Sequence, residues 1–197
     1  STIIDIGCGS GAIIGNVKKK SISYDTFIAL DLSEKMLSLH PSGKNIIKLC
    51  TDFSTLDILE EYCRDTGSLV LSSSALQWSK NLDTTFSNLA KYGSYAYFAI
   101  FTSNTFRTLH QLAGISSPIY SEKFLKEKIN KYFSASFDTK SYQLEFKNTK
   151  DMFRYIQKSG VGGGERKLGY KQMKRVMEEY PLKHLEFEVL FVEARPL

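Results

Sequence analysis

The feature that most constrains the fold is a short β-branched run followed at once by glycines. Residues 2–6 (TIIDI) are apolar except for Asp5, and residues 7–11 (GCGSG) follow directly. This order is typical of a buried strand, a tight turn and then a helix, which we predict over about residues 12–19. A helix that starts from such a turn presents its backbone N–H groups to a ligand.

The strand and helix rhythm continues to residue 101 and predicts an α/β fold. Strands are predicted over residues 2–6, 26–30, 46–50, 68–72 and 95–101, and helices over 12–19, a short stretch after Ser33, 54–64 and 82–91. Strands that alternate with helices favour a Rossmann-like, mostly parallel sheet with helices on both faces. The strands are short continuous apolar runs, as a sheet covered on both faces requires.

The pattern changes after residue 102. Helices are predicted over residues 105–113, 121–132, 150–158 and 170–180, strand structure over 133–146 as one or two strands, and a final antiparallel strand over 185–194. We predict one domain over residues 1–197, with a cofactor-binding half at 1–102 and helical lid insertions at 103–130 and 148–181. Because the chain opens inside a predicted central strand, we expect further residues to precede it.

Composition excludes several other classes of protein. Aromatic residues make up 13% of the chain, which excludes wholesale disorder, and no apolar run approaches the length of a membrane span. Three cysteines without a CxxC pair and three scattered histidines indicate neither a disulfide framework nor a metal site, and favour a cytoplasmic location. Residues 1–100 carry nine Lys and Arg against ten Asp and Glu, whereas residues 101–197 carry 17 against 11. The basic second half is suited to an acidic partner, although solvated charge explains it equally well.

Three acids are predicted at the carboxyl ends of the first three strands. Asp5 precedes the glycine turn, Asp31 ends the second strand, and Asp52 follows the third with Phe53 beside it. Open α/β sheets bind ligands at this edge. Asp31 can accept the hydroxyls of a ribose and Asp52 an adenine amino group, while Phe53 can pack on the base.

The glycine turn alone does not decide the ligand. Gly7-x-Gly9-x-x-Ala12 also satisfies a dinucleotide fingerprint. Asp5 lies two residues before the first glycine, where a carboxylate suits an ammonium group and repels a pyrophosphate. With Asp31 and Asp52 at two further strand ends, the three acids favour a cofactor that carries an ammonium group over a dinucleotide.

This order of acids resembles the class I S-adenosylmethionine-dependent methyltransferases. Residues 31–37 (DLSEKML) resemble the DxSxxML run of their small-molecule branch. More specifically, residues 72–82 (SSSALQWSKNL) are similar to the segment after the fourth strand in the malonyl-acyl-carrier-protein O-methyltransferases of biotin synthesis. Stretches around His110, Arg154 and Gly160 are also similar to that family, while its N-terminal helix has no counterpart in this chain.

The resemblance implies S-adenosylmethionine as cofactor and a set of residues that hold it: Asp5, Gly7, Cys8, Gly9, Gly11, Asp31, Leu32, Met36, Asp52, Phe53 and Ser73. Gln77 and Trp78 are then expected to line the substrate pocket, and Arg154 to clamp a carboxylate. A methyl group on sulfonium is already activated and a malonyl carboxylate is ionised, so we expect no general base and no metal.

The expected partner is malonyl-carrying acyl-carrier protein, with no nucleic acid and no membrane. Two alternatives remain open: a methyltransferase of another small acceptor, and a non-catalytic or RNA-binding methyltransferase-like protein. The second has little support, because residues 72–75 (SSSA) do not resemble the Asn/Asp-Pro-Pro-aromatic run of nucleic-acid amino-methyltransferases.

Overall fold

Strands of the protein form one mixed sheet whose order confirms the Rossmann-like prediction. The computed structural model describes residues 1–53, 55–62, 67–159 and 170–197. Its strands are β1 (Thr2–Ile6), β2 (Thr26–Asp31), β3 (Ile46–Cys50), β4 (Leu69–Ser73), β5 (Tyr95–Phe101), β6 (Phe133–Glu145) and β7 (His184–Pro196). The strand order is β3-β2-β1-β4-β5-β7-β6, with β7 antiparallel to the others.

Helices connect these strands. They are α1 (Ala12–Lys19), α2 (Glu34–Leu39), α3 (Leu82–Tyr92), α4 (Arg107–Ala113), α5 (Glu122–Ile129), α6 (Thr149–Ser159) and α7 (Tyr170–Glu179). Side-chain oxygens cap three of them: Ser33 accepts from the Met36 N–H at 3.3 Å, Asn81 from the Thr84 N–H at 3.1 Å, and Asn148 from the Asp151 N–H at 2.8 Å. In the described ranges no helix is long and apolar enough to span a bilayer.

The parallel register brings the strand ends together. Ile6 pairs with Leu30 of β2 and with Ser72 of β4, and Asp31 pairs with Cys50 of β3. Because these strands run in one direction, the glycine turn, Asp31 and the residues after β3 emerge at the same edge. The predicted meeting of the strand ends is therefore confirmed.

The chain divides into two compact units. The first comprises residues 1–100, 123–138 and 190–197, and the second residues 101–122 and 139–189. Phe86, Phe98 and Phe133 lie in mutual contact in the first unit, with ring centroids 5.9–6.4 Å apart. The second unit has its own core, in which Phe153 meets Tyr180 edge-on at 6.2 Å. Each unit thus buries an apolar cluster of its own.

Several predicted boundaries differ from the structure. Where a helix was expected over residues 54–64, the described part holds only a 3-10 helix, Asp57–Glu61, flanked by residues outside the described ranges. The helix expected over 121–132 spans only Glu122–Ile129. The one or two strands expected over 133–146 are a single strand, Phe133–Glu145. The helix expected from residue 105 begins at Arg107, because Phe106 has a left-handed backbone with φ 57°.

Candidate functional site

A cleft at the carboxyl edge of the first unit gathers five of the eleven predicted cofactor residues. Its volume is about 400 Å³, within the size range of small-molecule sites. Its walls are Gly7, Asp31, Leu32, Asp52, Phe53, Ser74, Ala75, Trp78 and Lys80. The first five were predicted to bind the cofactor, and Trp78 was predicted to contact the substrate.

The glycine turn allows the loop after β4 to approach the loop after β1. Gly7 has φ +70°, and a Cβ atom at this position would lie 2.3 Å from the Cβ of Ala75. Gly9 has φ +54° with no atom within 4 Å of the place where its Cβ would be, so it is required for its backbone conformation alone. The Cys8 N–H donates to the Leu30 carbonyl at 2.8 Å and ties the turn to the end of β2.

Asp31 is the acceptor around which the turn is organised. One carboxylate oxygen accepts from the Gly9 N–H at 2.8 Å, and the other accepts from the Ser33 N–H at 2.8 Å. Each oxygen has a second lone pair, so the carboxylate keeps the capacity to accept two hydroxyl groups. Asp31 therefore both orders the glycine turn and forms part of the cleft wall.

Asp5 is a buried carboxylate without partners. Its side chain is 1% exposed, and neither oxygen has a hydrogen-bond partner among the described residues. Burial, and secondarily the negative charge of Asp31, raise the pKa of Asp5 to about 7. An unpaired carboxylate beneath a glycine turn is suited to a positively charged group held nearby, as predicted from the sequence.

Cys8 lies beside Asp5 but is unreactive. Its thiol is buried, and burial together with the charges of Asp5 and Asp31 raises its pKa to about 12. Since the thiolate is the nucleophilic form, this cysteine takes no part in covalent chemistry. Its backbone, which forms part of the turn, is the part available to a cofactor.

The loop after β4 contributes more to the cleft than the sequence indicated. Ser73, which was predicted to bind the cofactor, ends β4 and pairs with Ala99, and it is not part of the cleft wall. Its neighbour Ser74 is in the wall, with a left-handed φ of 63°, and so are Ala75 and Lys80. Strained backbone on a cleft wall is frequent at functional sites and leaves no signal in the sequence.

Besides Asp5, Cys8, Gly9 and Ser73, four other predicted residues lie outside the cleft wall. Gln77 is 3% exposed and donates from its side-chain amide to the Ser74 carbonyl at 2.7 Å, so its observed contact braces the loop. Met36 lies on α2, half-exposed, and Gly11 begins α1 with φ 96°. Arg154 belongs to the second unit, on α6, where it forms an ion pair with Asp151 at 2.7 Å. The roles predicted for all four stay predictions.

A larger cavity in the first unit lacks this chemistry. It has a volume of about 530 Å³ and is lined mainly by apolar side chains of α1, β4, β5 and β7, including Ile13, Val17, Tyr97 and Phe191. The strand-end acids and the glycine turn do not line it, so size alone does not make it the functional site. Within the described ranges there is also no group of three His, Cys, Asp or Glu suited to a metal ion.

The residues of the cleft fit S-adenosylmethionine. Gly7, Asp31, Asp52 and Phe53 lie in its wall, and Asp5, near the end of β1, is a buried carboxylate with no hydrogen-bond partner among the described residues. These side chains are chemically suited to an ammonium group, a ribose and an amino-purine, and the role predicted for each residue stays a prediction.

Comparison with known proteins defines the class. Residues 4–94 match the family described as "Methyltransferase domain". The chain therefore contains a class I S-adenosylmethionine-dependent methyltransferase domain, and the cofactor of this class is S-adenosylmethionine.

Solved structures agree on the fold. A putative methyltransferase from Bacillus halodurans C-125 has a TM-score of 0.66 at 10% identity, covering 98% of this chain and 91% of that chain. An S-adenosylmethionine-dependent methyltransferase from Mesorhizobium loti has a TM-score of 0.57 at 15% identity, covering 98% and 90%. At these identities the likeness concerns the fold alone.

One curated relative carries a more specific name. Over 114 residues the chain is 26% identical to a malonyl-[acyl-carrier protein] O-methyltransferase from Bacillus cereus. The match covers 55% of this chain and 40% of that protein, so it spans less than half of the relative's length.

Proposed function

We propose that this protein transfers a methyl group from S-adenosylmethionine to the free carboxylate of a malonyl thioester on acyl-carrier protein. The use of S-adenosylmethionine as methyl donor is supported by the cleft of strand-end acids around Gly7. The acceptor part is supported by the 26% identical relative and by the resemblance of residues 72–82 to its family. In that family the step belongs to biotin synthesis.

The residues of the cleft have binding and positioning roles in this proposal. When bound, S-adenosylmethionine supplies a methyl group on sulfonium, which needs no further activation. Asp31 accepts hydrogen bonds from the ribose hydroxyls, and Asp52 accepts one from the amino group of the base. The negative charge of Asp5 attracts the ammonium group of the cofactor. Because a malonyl carboxylate is already ionised near neutral pH, no side chain has to remove a proton, and alignment of the reactants supplies on the order of 7–11 kcal/mol.

The acceptor carboxylate needs a cation that holds one of its oxygens. Arg154 is exposed on α6 and, among the described residues, donates only to Asp151, from one guanidinium nitrogen, so its other donors can make a bidentate contact. An exposed i,i+3 ion pair is weak, so a desolvated carboxylate can compete for the guanidinium. We retain Arg154 as the proposed clamp.

Lysines on α5 are the proposed contact with the acidic carrier protein. Lys128 and Lys131 are already paired with Asp83, which lowers the pKa of that carboxyl. Lys126 lies over the ring of Phe137 at 5.4 Å, and Lys123 is exposed on the same helix. The proposed carrier contact comprises Lys123, Lys126 and Lys128 of this helix. Such a reaction in the cytoplasm also agrees with the cysteine pattern of the sequence.

Mass spectrometry of the carrier tests the proposal. Malonyl-carrier protein is incubated with the full-length enzyme and S-adenosylmethionine, and acetyl-carrier protein, which has no free carboxylate, serves as the control. We expect the malonyl form to gain one methyl group and the acetyl form to gain none. Methylation of neither, while a different small acceptor is methylated, would overturn the acceptor and leave the methyltransferase class intact.

A further inference from the structure

Trp78 lies on a loop that reaches across the sheet edge. In the strand order β4 is separated from β3 by β1 and β2, yet Trp78 lines the same cleft as Asp52 and Phe53, which follow β3. The close approach of Ala75 to Gly7 shows where the loop passes over the end of β1. The loop after β4 therefore carries Trp78 back toward the residues that follow β3.

The backbone beneath Trp78 is held on both sides. Its N–H donates to the Ala75 carbonyl at 3.0 Å, and Leu76, two residues earlier in the chain, is completely buried. On the other side, the hydroxyl of Ser79 lies 2.9 Å from that of Thr85 in a buried contact. The indole ring, in contrast, is 38% exposed. A fixed backbone thus presents a large aromatic ring to the cleft.

The surroundings of the ring point to an aromatic base as its contact. Phe53 contributes a second ring to the same cleft, and Asp52 contributes an acceptor for an exocyclic amino group. Aromatic side chains bind bases by stacking on their π-faces, and a carboxylate distinguishes an amino-purine from one without the amino group. The sequence predicts that Trp78 lines the acceptor pocket. We infer instead that Trp78 binds the adenine ring of the cofactor.

This assignment depends on the cofactor class and not on the identity of the methyl acceptor. It can therefore be tested by binding alone, and it can fail or hold independently of the malonyl proposal. Two probes separate the parts of the cofactor: S-adenosylhomocysteine, and 5′-methylthioadenosine, which keeps the adenosine but lacks the amino-acid group.

We expect that loss of the indole ring weakens the binding of both probes to the same degree. Trp78→Ala should raise the Kd of each about tenfold, which is typical of a lost base stack, and Trp78→Phe should raise it less. Phe124→Ala is the matched control, since Phe124 is also 38% exposed but lies on α5, outside the cleft wall. Trp78 is the only tryptophan of this sequence, so its emission should also change when either probe binds the unmodified chain.

Two outcomes would overturn the inference. Weaker binding of S-adenosylhomocysteine with unchanged 5′-methylthioadenosine would place the ring at the amino-acid end of the cofactor. Unchanged binding of both probes, with a raised KM for the methyl acceptor, would return Trp78 to the acceptor pocket. If Trp78→Ala does not fold in a thermal melt, Trp78→Phe and the emission of the unmodified chain decide the question, and an emission unchanged at saturation contradicts it.

Discussion

The cleft of the first unit and the α6 region of the second present their charged groups differently. Asp31 in the cleft wall is fixed by two backbone N–H groups, and Asp5, near the end of β1 and outside the wall, is buried without any partner among the described residues. On α6, Arg154 is exposed and paired with Asp151 one helical turn away. The first arrangement is preorganised for a ligand, whereas the second can be assembled from any pair of neighbouring charges on a helix.

This difference shows where the chemistry of the protein is fixed. Glycines and acids at strand ends are placed by the sheet register, so local sequence determines the cofactor cleft. The group that holds an acceptor depends on packing between distant segments, which no short motif specifies. Variants that act on the cleft should therefore have larger and more specific effects than variants on α6.

The largest effect is expected at Gly7. Gly7→Ala places a Cβ 2.3 Å from that of Ala75 on a residue with φ +70°, so both the turn and the loop after β4 must shift. We expect roughly 100-fold weaker binding of S-adenosylhomocysteine in calorimetric titration. Gly15→Ala, on α1 with nothing within 4 Å, is the control and should stabilise the fold by about 0.5–1 kcal/mol without changing affinity. Equal affinity for the two variants would show that the loops need not approach closely.

The second effect is a pH dependence at Asp5. Its folded pKa of about 7 exceeds the usual aspartate pKa of 3.8, so its contribution to stability is fully present below about pH 4 and is lost as pH rises to about 7. Asp5→Asn cannot ionise, so its free energy of unfolding relative to the parent should increase by about 2–3 kcal/mol between about pH 5 and pH 8. Urea denaturation at several pH values measures this.

The control for Asp5 is an exposed acid. Asp57→Asn, on the 3-10 helix, should show no comparable pH-dependent gain. Asp5→Asn should also weaken binding of the positively charged cofactor at pH 8, which would show a residue that favours function at the expense of stability. A constant difference between Asp5→Asn and the parent across the pH range would mean that the pKa of Asp5 is the same in the folded and the unfolded protein, which contradicts the raised value.

The smallest of these effects is expected on α6. Arg154→Ala should lower kcat/KM for the malonyl thioester about tenfold, equivalent to about 1.4 kcal/mol, with unchanged cofactor affinity. Stability should change by less than about 1 kcal/mol, because the pair with Asp151 is exposed. Arg154→Lys keeps the charge without the planar fork and should remain impaired.

A matched arginine controls for loss of surface charge. Arg175 on α7 is exposed and paired with Glu179 at 3.1 Å, so Arg175→Ala removes a similar pair and should leave kcat/KM unchanged. Full activity of Arg154→Ala would show that another residue holds the acceptor carboxylate. Arg107, 3.7 Å from Glu186, would then be tested, while Arg166, the other candidate, lies outside the described residues.

The sequence predicted the strand-end residues well and the loop residues less well. The apolar strands end at identifiable positions, which is why the sequence predicts Asp31, Asp52 and Phe53. The structure places all three in one cleft. Ser74 and Lys80 were missed, because their placement depends on a left-handed backbone and on how the loop after β4 crosses the edge. Periodicity determines where a strand ends, but not the path of the loop that follows it.

Calorimetric titration of S-adenosylhomocysteine against the parent chain and Asp31→Ala tests the central claim most directly. Asp31 holds the glycine turn through Gly9 and retains acceptor capacity for two ribose hydroxyls, and charge-assisted hydrogen bonds contribute roughly 1.5–3 kcal/mol each. The account predicts saturable binding to the parent, at least tenfold weaker binding to Asp31→Ala, and no binding of NAD to either. Equal affinity of the two chains for S-adenosylhomocysteine, or binding of NAD instead, would contradict it.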